Sequence, residues 1–354
     1  ESAGFIGGIK WRGNVNASQR REVQFAQNIS QVFMGENMKC ASCHDSFIND
    51  WKLDDAYGLA AIIAEEPLEI HRCDKPTGEF ASAKFMFPSL GTIDTNAPKD
   101  ERLKQTAALM TSPMNGRFTR TLVNRLWQRL MGRGLVEPVD MMGNEPWSAD
   151  LLDYLAVDFA DGGYDLKQLL ATLASSRTYQ SACVERHQGP SEEYVFHGPV
   201  TKRLTAEQFI DALWKVTGQA PKKAIAKSTE THSRPLVRSS LVASTILMRA
   251  LGRPNREQVV TVRPEALSTI QALELNNGKE FARLLQQGAE QLLAHLGQNR
   301  GELIDTMFQQ ILSRPPKPEE IETARQVLGS TPTADSVADL MWTLFMLPEF
   351  QLIR

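Results

Sequence analysis

Residues 116–134 read GRFTRTLVNRLWQRLMGRG, and the fold class turns on how they are read. Phe118, Leu122, Leu126 and Leu130 recur every fourth position, which lines them along one face of a helix. The pattern stops at Gly132 and Gly134, residues that favour the end of a helix over its interior. Five arginines ride on the same segment. Arg125 and Arg129 share one face, and Arg117 and Arg120 share another. They suit either an anionic group outside the chain or ion pairs to Asp140 or Glu137 on a solvated face, the second being the commoner arrangement.

Working outward, the chain keeps reading as helix. Ser148 stands ahead of ADLLDYLAVDFA as an N-cap, Asp165 opens LKQLLATLASS, and Thr205 opens AEQFIDALWKVTG before Gly218. Long helical patterns cover 265–296, 301–313, 318–329 and 333–347. Residues 219–237, QAPKKAIAKSTETHSRPLV, have no period and read as an exposed loop. Toward the N-terminus, residues 1–17 look irregular. A helix is expected after Ser18, with Phe25, Ile29, Val32 and Phe33 as its apolar stripe, running into Gly35. A second helical pattern spans 57–64, and 67–98 is punctuated by Pro and Gly. Strand-like alternation is nearly absent. The expected architecture is mostly α: a small loop-rich N-terminal domain over 1–100 packed on a larger helical domain over 101–354.

At 354 residues, 42% of them apolar and 23% charged, the chain has the composition of an ordinary globular protein. Its 39 basic and 42 acidic side chains leave a net charge of −3, so bulk electrostatics give no reason to expect a nucleic-acid partner. No run of eighteen apolar residues is present, so no membrane span is expected. The chain opens on ESAGFIGG, without Met or signal peptide, and reads as a mature, trimmed or partial segment. Phosphate-binding loops, a nucleophile elbow, the zinc-protease motif and a dinucleotide fingerprint after a strand are all missing. Trp127, Trp147 and Trp214 read as packing anchors. His187, His197, His232 and His295 are scattered.

The chemistry concentrates in residues 35–51, GENMKCASCHDSFINDW. Cys40, Cys43 and His44 form Cys-x-x-Cys-His, the attachment signature of c-type haem. Two thiols one helical turn apart can add to the two vinyl groups on one porphyrin edge, and the next residue reaches the iron as axial ligand. Ala41 and Ser42 between them are small. Zinc would need four ligands, and a second Cys-x-x-Cys pair is missing, though His71 and Cys73 are donors. A thioredoxin-like dithiol would need a strand and a βαβ setting, and neither is present. One covalent haem c on Cys40 and Cys43, with His44 on the iron, is therefore the expected cofactor. Phe47, Ile48, Trp51, Leu59, Ile62, Ile63, Phe85, Met86 and Phe87 are candidates for an apolar slot around it. Met86 and His71 are alternative sixth ligands, with Met34 and Met38 just upstream, and an open position is a further alternative.

These residues carry a resemblance. The stretch FAQNISQVFMGENMKCASCHDSFINDW resembles the cytochrome-type domain abundant in planctomycetes and related bacteria. The stretches beginning at Asn115, Leu151 and Lys202, and the closing DLMWTLFMLPEFQLIR, are similar to the planctomycete-specific domain that follows it. The resemblance covers nearly the whole chain. It implies an exported, periplasmic or otherwise extracytoplasmic protein, with the family's cysteine–histidine motif falling on Cys40, Cys43 and His44. Both domains are described as of unknown function. Family members often have a second histidine two places after the first, and this chain has Ser46 there.

The function expected from motif and resemblance together is an exported monohaem cytochrome module passing single electrons to or from a redox partner protein, either by itself or as a subunit of a larger complex. Two alternatives stay open. One is a haem-containing oxidoreductase or subunit of an extracytoplasmic enzyme complex, with loops near Asp140, Gly143 and His197 as candidates. The other is a structural or assembly protein stabilised by haem or metal. Cys73 and Cys183 are left either as a disulfide or as free thiols.

Overall fold

The structure is a computed structural model that describes residues 3–9, 16–185, 194–224, 237–254, 259–263 and 266–353. His187, His232 and most of the Lys-rich stretch after residue 219 lie outside the described residues. The chain forms two compact units. Residues 1–200 and 256–262 make the first, and residues 201–255 and 263–354 make the second. Residue 100, where the composition shifts, lies inside the first unit.

The first unit contains helices α1 (Ala3–Gly7), α2 (Arg21–Met34), α3 (Leu53–Ala60), α4 (Lys99–Met110), α5 (Gly116–Met131), α6 (Ala149–Asp161) and α7 (Leu166–Ser175). Helix α2 does not start from Ser18. The Ser18 hydroxyl donates to Asn16 Oδ1 (2.8 Å), a 3-10 turn covers Ala17–Gln19, and Arg20 stands at the helix start. At its other end Gly35 takes φ 64°. A Cβ there would lie 2.3 Å from Met142 Cγ and 2.9 Å from Thr121 Oγ1, so glycine is required both by conformation and by space. Helix α3 begins earlier than its apolar pattern, because the Asp45 carboxylate accepts the Leu53 N–H (3.0 Å) and Asp55 accepts that of Lys52 (3.0 Å).

Two apolar cores fill this unit. One joins Phe25, Ile29 and Met34 of α2 with Tyr57 and Leu59 of α3 and with Phe85, Met86 and Met110. The other joins α5, α6 and α7 through Val123, Trp127, Met131, Leu152, Phe159 and Leu169. On α5 the deepest stripe is Val123–Trp127–Met131, and Leu122, Leu126 and Leu130 flank it half-buried. The apolar face is therefore rotated by one residue from the leucine repeat. Trp127 is buried, and Trp147 stacks on Phe196 with ring centroids 5.7 Å apart. Asp165 caps α7 by accepting the N–H groups of Lys167 and Gln168.

The Pro- and Gly-punctuated stretch contains a hairpin that the sequence pattern does not announce. Strand β1 (Glu69–Arg72) pairs antiparallel with β2 (Lys75–Phe80), and Arg72 faces Lys75. Every residue of β2 is exposed, so no buried face imposes an alternation on its sequence. Cys73 and Asp74 make the two-residue link, with Cys73 at φ 54°.

The second unit holds the pair of short strands β3 (Lys202–Arg203) and β4 (Leu352–Ile353). Its helices are α8 (Ala206–Thr217), α9 (Ile246–Ala250), α10 (Thr269–Asn277), α11 (Lys279–Leu296), α12 (Arg300–Leu312), α13 (Pro318–Leu328), α14 (Ala334–Met346) and α15 (Pro348–Gln351). Thr205 and Gln208 form a capping box at α8, and Gly218 closes that helix in the left-handed conformation. The run from 265 to 296 breaks between α10 and α11 at Gly278, where a Cβ would meet the Glu274 carbonyl oxygen at 2.2 Å. Phe209, Leu213 and Trp214 pack with Phe281, Met307, Leu340 and Phe345 as its core. The protein is mostly α, as its sequence implies. Among the described residues no helix is long and apolar enough to cross a membrane.

Candidate functional site

The cysteine motif sits on a single turn between α2 and α3. Ser42 N–H donates to the Met38 carbonyl (2.9 Å), and the N–H groups of Cys43 and His44 both donate to the Cys40 carbonyl (3.0 and 3.1 Å). This winding divides the side chains between two directions. Ala41 and Ser42 point inward and are fully buried, and Cys40, Cys43 and His44 stay half-exposed. The Ser42 hydroxyl accepts from Gln27 Nε2 (2.6 Å) and lies against the carbonyls of Met38 and Lys39. The small residues between the cysteines are thus needed for burial beneath the turn.

His44 Nδ1 lies 2.7 Å from the Asp45 carbonyl oxygen. A carbonyl can only accept, so this bond requires the proton on Nδ1 and leaves Nε2 with a free lone pair in the neutral ring. That is the tautomer an imidazole needs to bind a metal through Nε2. The ring packs on Phe47 with centroids 4.6 Å apart. Phe47 is 87% exposed and Ile48 is 55% exposed, so an apolar rim stands in solvent beside the histidine.

Beyond the turn, Cys73 at the hairpin tip meets Cys43. Its N–H donates to the Cys43 carbonyl at 2.7 Å. Burial raises the Cys43 thiol pKa, and the Cys73 thiol and the Asp74 carboxylate push it the same way. All four cysteines are free thiols, Cys73 and Cys183 included. Nothing local in the sequence signals the approach of Cys73 to Cys43, because it depends on a hairpin whose strands show no alternation.

Immediately before the turn, the chain is clamped. Glu36 and Met141 form a short antiparallel bridge, Met142 N–H donates to the Gly35 carbonyl (3.1 Å), and Asn37 N–H donates to that of Asp140 (3.1 Å). The buried Glu36 carboxylate accepts from Arg117 (3.2 Å) and from Trp51 Nε1 (3.2 Å). Burial raises its pKa despite these partners, and burial likewise lowers that of Arg117. Asp140 accepts from Arg125 Nη2 (2.8 Å), Gln31 Nε2 (2.7 Å) and the Thr261 hydroxyl. Arg125 also donates to the carbonyls of Gln31 and Val32. Arg117 and Arg125 therefore serve internal carboxylates, and Arg120 pairs with the half-exposed Asp153. Arg125 does take Asp140, although the pair is buried and not solvated, and Glu137 instead accepts the Gly134 N–H (2.6 Å).

The remaining candidates are dispersed. Met86 is 6% exposed and packed in the first core with Phe85. His71 on β1 is half-buried, its Nδ1 3.1 Å from the Glu69 carbonyl, and it lines a surface cavity of about 290 Å³ with Asn16, Ala17, Arg20 and Asp74. His197 and His295 are exposed. Among the described residues, no three His, Cys, Asp or Glu side chains converge as a metal-ligand set. Leu59, Ile62, Ile63, Phe85 and Met86, candidates for a slot, are packed in the first core. Two outward thiols on one turn and an Nδ1-anchored imidazole fit a porphyrin attached from the solvent side.

Comparison with known proteins adds two family models in the order the motifs suggest. PSCyt2, a protein of unknown function (DUF1549), matches residues 2–67, and PSD1, a protein of unknown function (DUF1553), matches residues 102–328. These are paired families found in planctomycete-type proteins. No curated protein and no solved structure matches the chain. The clamp on Gly35–Asn37 joins the two matched segments inside the first unit, since residues 117, 125 and 140–142 belong to the second match.

Proposed function

From the premise that the chain belongs to the PSD1 family, with a PSCyt2 segment ahead of it, we propose an extracytoplasmic c-type cytochrome module that passes single electrons to or from a partner protein. Cys40 and Cys43 would hold one haem c through thioethers, and His44 Nε2 would be the protein donor to its iron. The bound haem supplies the one-electron carrier. The chain supplies the rest. The turn presents both thiols outward, the Asp45 carbonyl orients the imidazole and strengthens it as a donor, and Phe47 and Ile48 give an apolar rim.

The observation that supports this reading most is the His44 Nδ1–H bond to the Asp45 carbonyl, made on the same turn that turns both cysteines outward. The test is an absorption spectrum of the chain matured with the periplasmic haem-attachment machinery, followed by denaturation. Haem should remain attached after denaturation, and Cys40→Ser with Cys43→Ser should release it. A haem-free product with intact thiols would end the proposal. Ready carbon monoxide binding to the reduced form would replace electron transfer by chemistry at an open iron position.

A further inference from the structure

We propose that Cys43 and Cys73 are a dithiol–disulfide pair that staples the hairpin tip to the cysteine turn. The inference concerns the chain before any group is attached, and it does not rest on the haem reading.

Three observations carry it. The 2.7 Å hydrogen bond from Cys73 N–H to the Cys43 carbonyl ties the two backbones together. With standard bond lengths this bond limits the Cα–Cα separation to roughly 6.5 Å, inside the span of about 4.4–6.8 Å that disulfides bridge. The Cys73 side chain is also an electrostatic neighbour of the Cys43 thiol, which keeps the two sulfur-bearing residues on the same side of that backbone bond's short reach. Finally, Cys73 occupies φ 54°, a conformation that glycine and asparagine adopt far more readily. A cysteine in that place, exposed at the tip of a two-residue link, is the accessible partner for exchange.

The reaction is a thiol–disulfide exchange with an incoming disulfide, small or protein-borne. Cys73, as the exposed thiolate, attacks one sulfur of that disulfide, forming a mixed disulfide and releasing one thiol. Cys43, deprotonated in turn, displaces the second thiol and closes the Cys43–Cys73 bond. The two protein thiols lose two electrons and two protons, and the incoming disulfide leaves as two thiols. A thioether on Cys43 would block the step, so the staple and covalent attachment at Cys43 exclude each other.

The test uses the full chain, haem-free, incubated with oxidised glutathione, alkylated without reduction and mapped by peptide mass spectrometry. The expected product is two hydrogens lighter, with Cys43 and Cys73 in one cross-linked peptide and Cys40 and Cys183 alkylated. Cys73→Ser should abolish that cross-link, while Cys183→Ser and Cys40→Ser leave it. A Cys40–Cys43 bond, or four alkylatable thiols after oxidation, would overturn the proposal. Mapping of the wild-type chain decides the matter even where a variant fails to fold. Absence of haem in the spectrum described above leaves this result unaffected, so the two readings fail separately.

Discussion

Gly35–Met38 and Cys40–His44 are separated only by Lys39, yet they are built on opposite terms. In the first, the backbone is paired with residues 140–142, a Cβ on Gly35 would collide, and the Glu36 carboxylate is enclosed by Arg117 and Trp51. In the second, the three chemically active side chains are half-exposed, and the largest apolar neighbour, Phe47, stands in solvent. The clamp sets where the turn lies, and the turn keeps both cysteine side chains and the His44 ring half-exposed. Burial and reactivity have been assigned to adjacent residues, so substitutions should separate them cleanly.

The comparison breaks hardest at Asp140. Asp140→Ala leaves the Arg125 guanidinium in a mostly buried place without its carboxylate. Removing one partner of a buried pair costs about 3–5 kcal/mol, so urea unfolding of this variant should show a marked fall in midpoint. Next comes Gly35→Ala, which forces a side chain into Met142 and Thr121 at a left-handed position. Overpacking alone costs about 1–3 kcal/mol, and thermal unfolding should report it. A subtler probe is Glu36. Its raised pKa means the native state binds the proton more tightly than the unfolded chain, whose ordinary value is 4.5. The stability it contributes is present below 4.5 and is lost as pH rises through the raised value. Glu36→Gln should flatten that decline in denaturation series run at increasing pH. The smallest effect belongs to the turn: Phe47→Ala, at 87% exposure, should change stability by less than about 0.5 kcal/mol. A larger loss would mean the rim is structural and the contrast false.

The sequence shows what neighbouring residues decide. Thr205 with Gln208, Asp165 and Gly218 act at the helix ends where their spacing puts them, since caps need only local partners. Ser18 is a local signal that misleads, because Asn16 claims its hydroxyl. The α5 stripe is offset by one residue because a helix between two cores buries more than one face. The cysteine turn is legible for the same local reason as the caps. The pairing of Cys73 with Cys43 and the Thr261 hydroxyl on Asp140 join residues far apart in the chain, and no periodicity encodes them. The hairpin escapes notice because an exposed strand has no buried face to reveal it.

Thr261 has one more consequence, in the order of synthesis. Residues 1–200 leave the ribosome first, but the segment that returns to their unit, 256–262, arrives only after residues 201–255 have been made. Until then Asp140 lacks one of its three donors, and Gln31 lacks the second oxygen it faces. The first unit therefore emerges with its central carboxylate incompletely satisfied, and its last polar bonds close only when part of the second unit has already been translated.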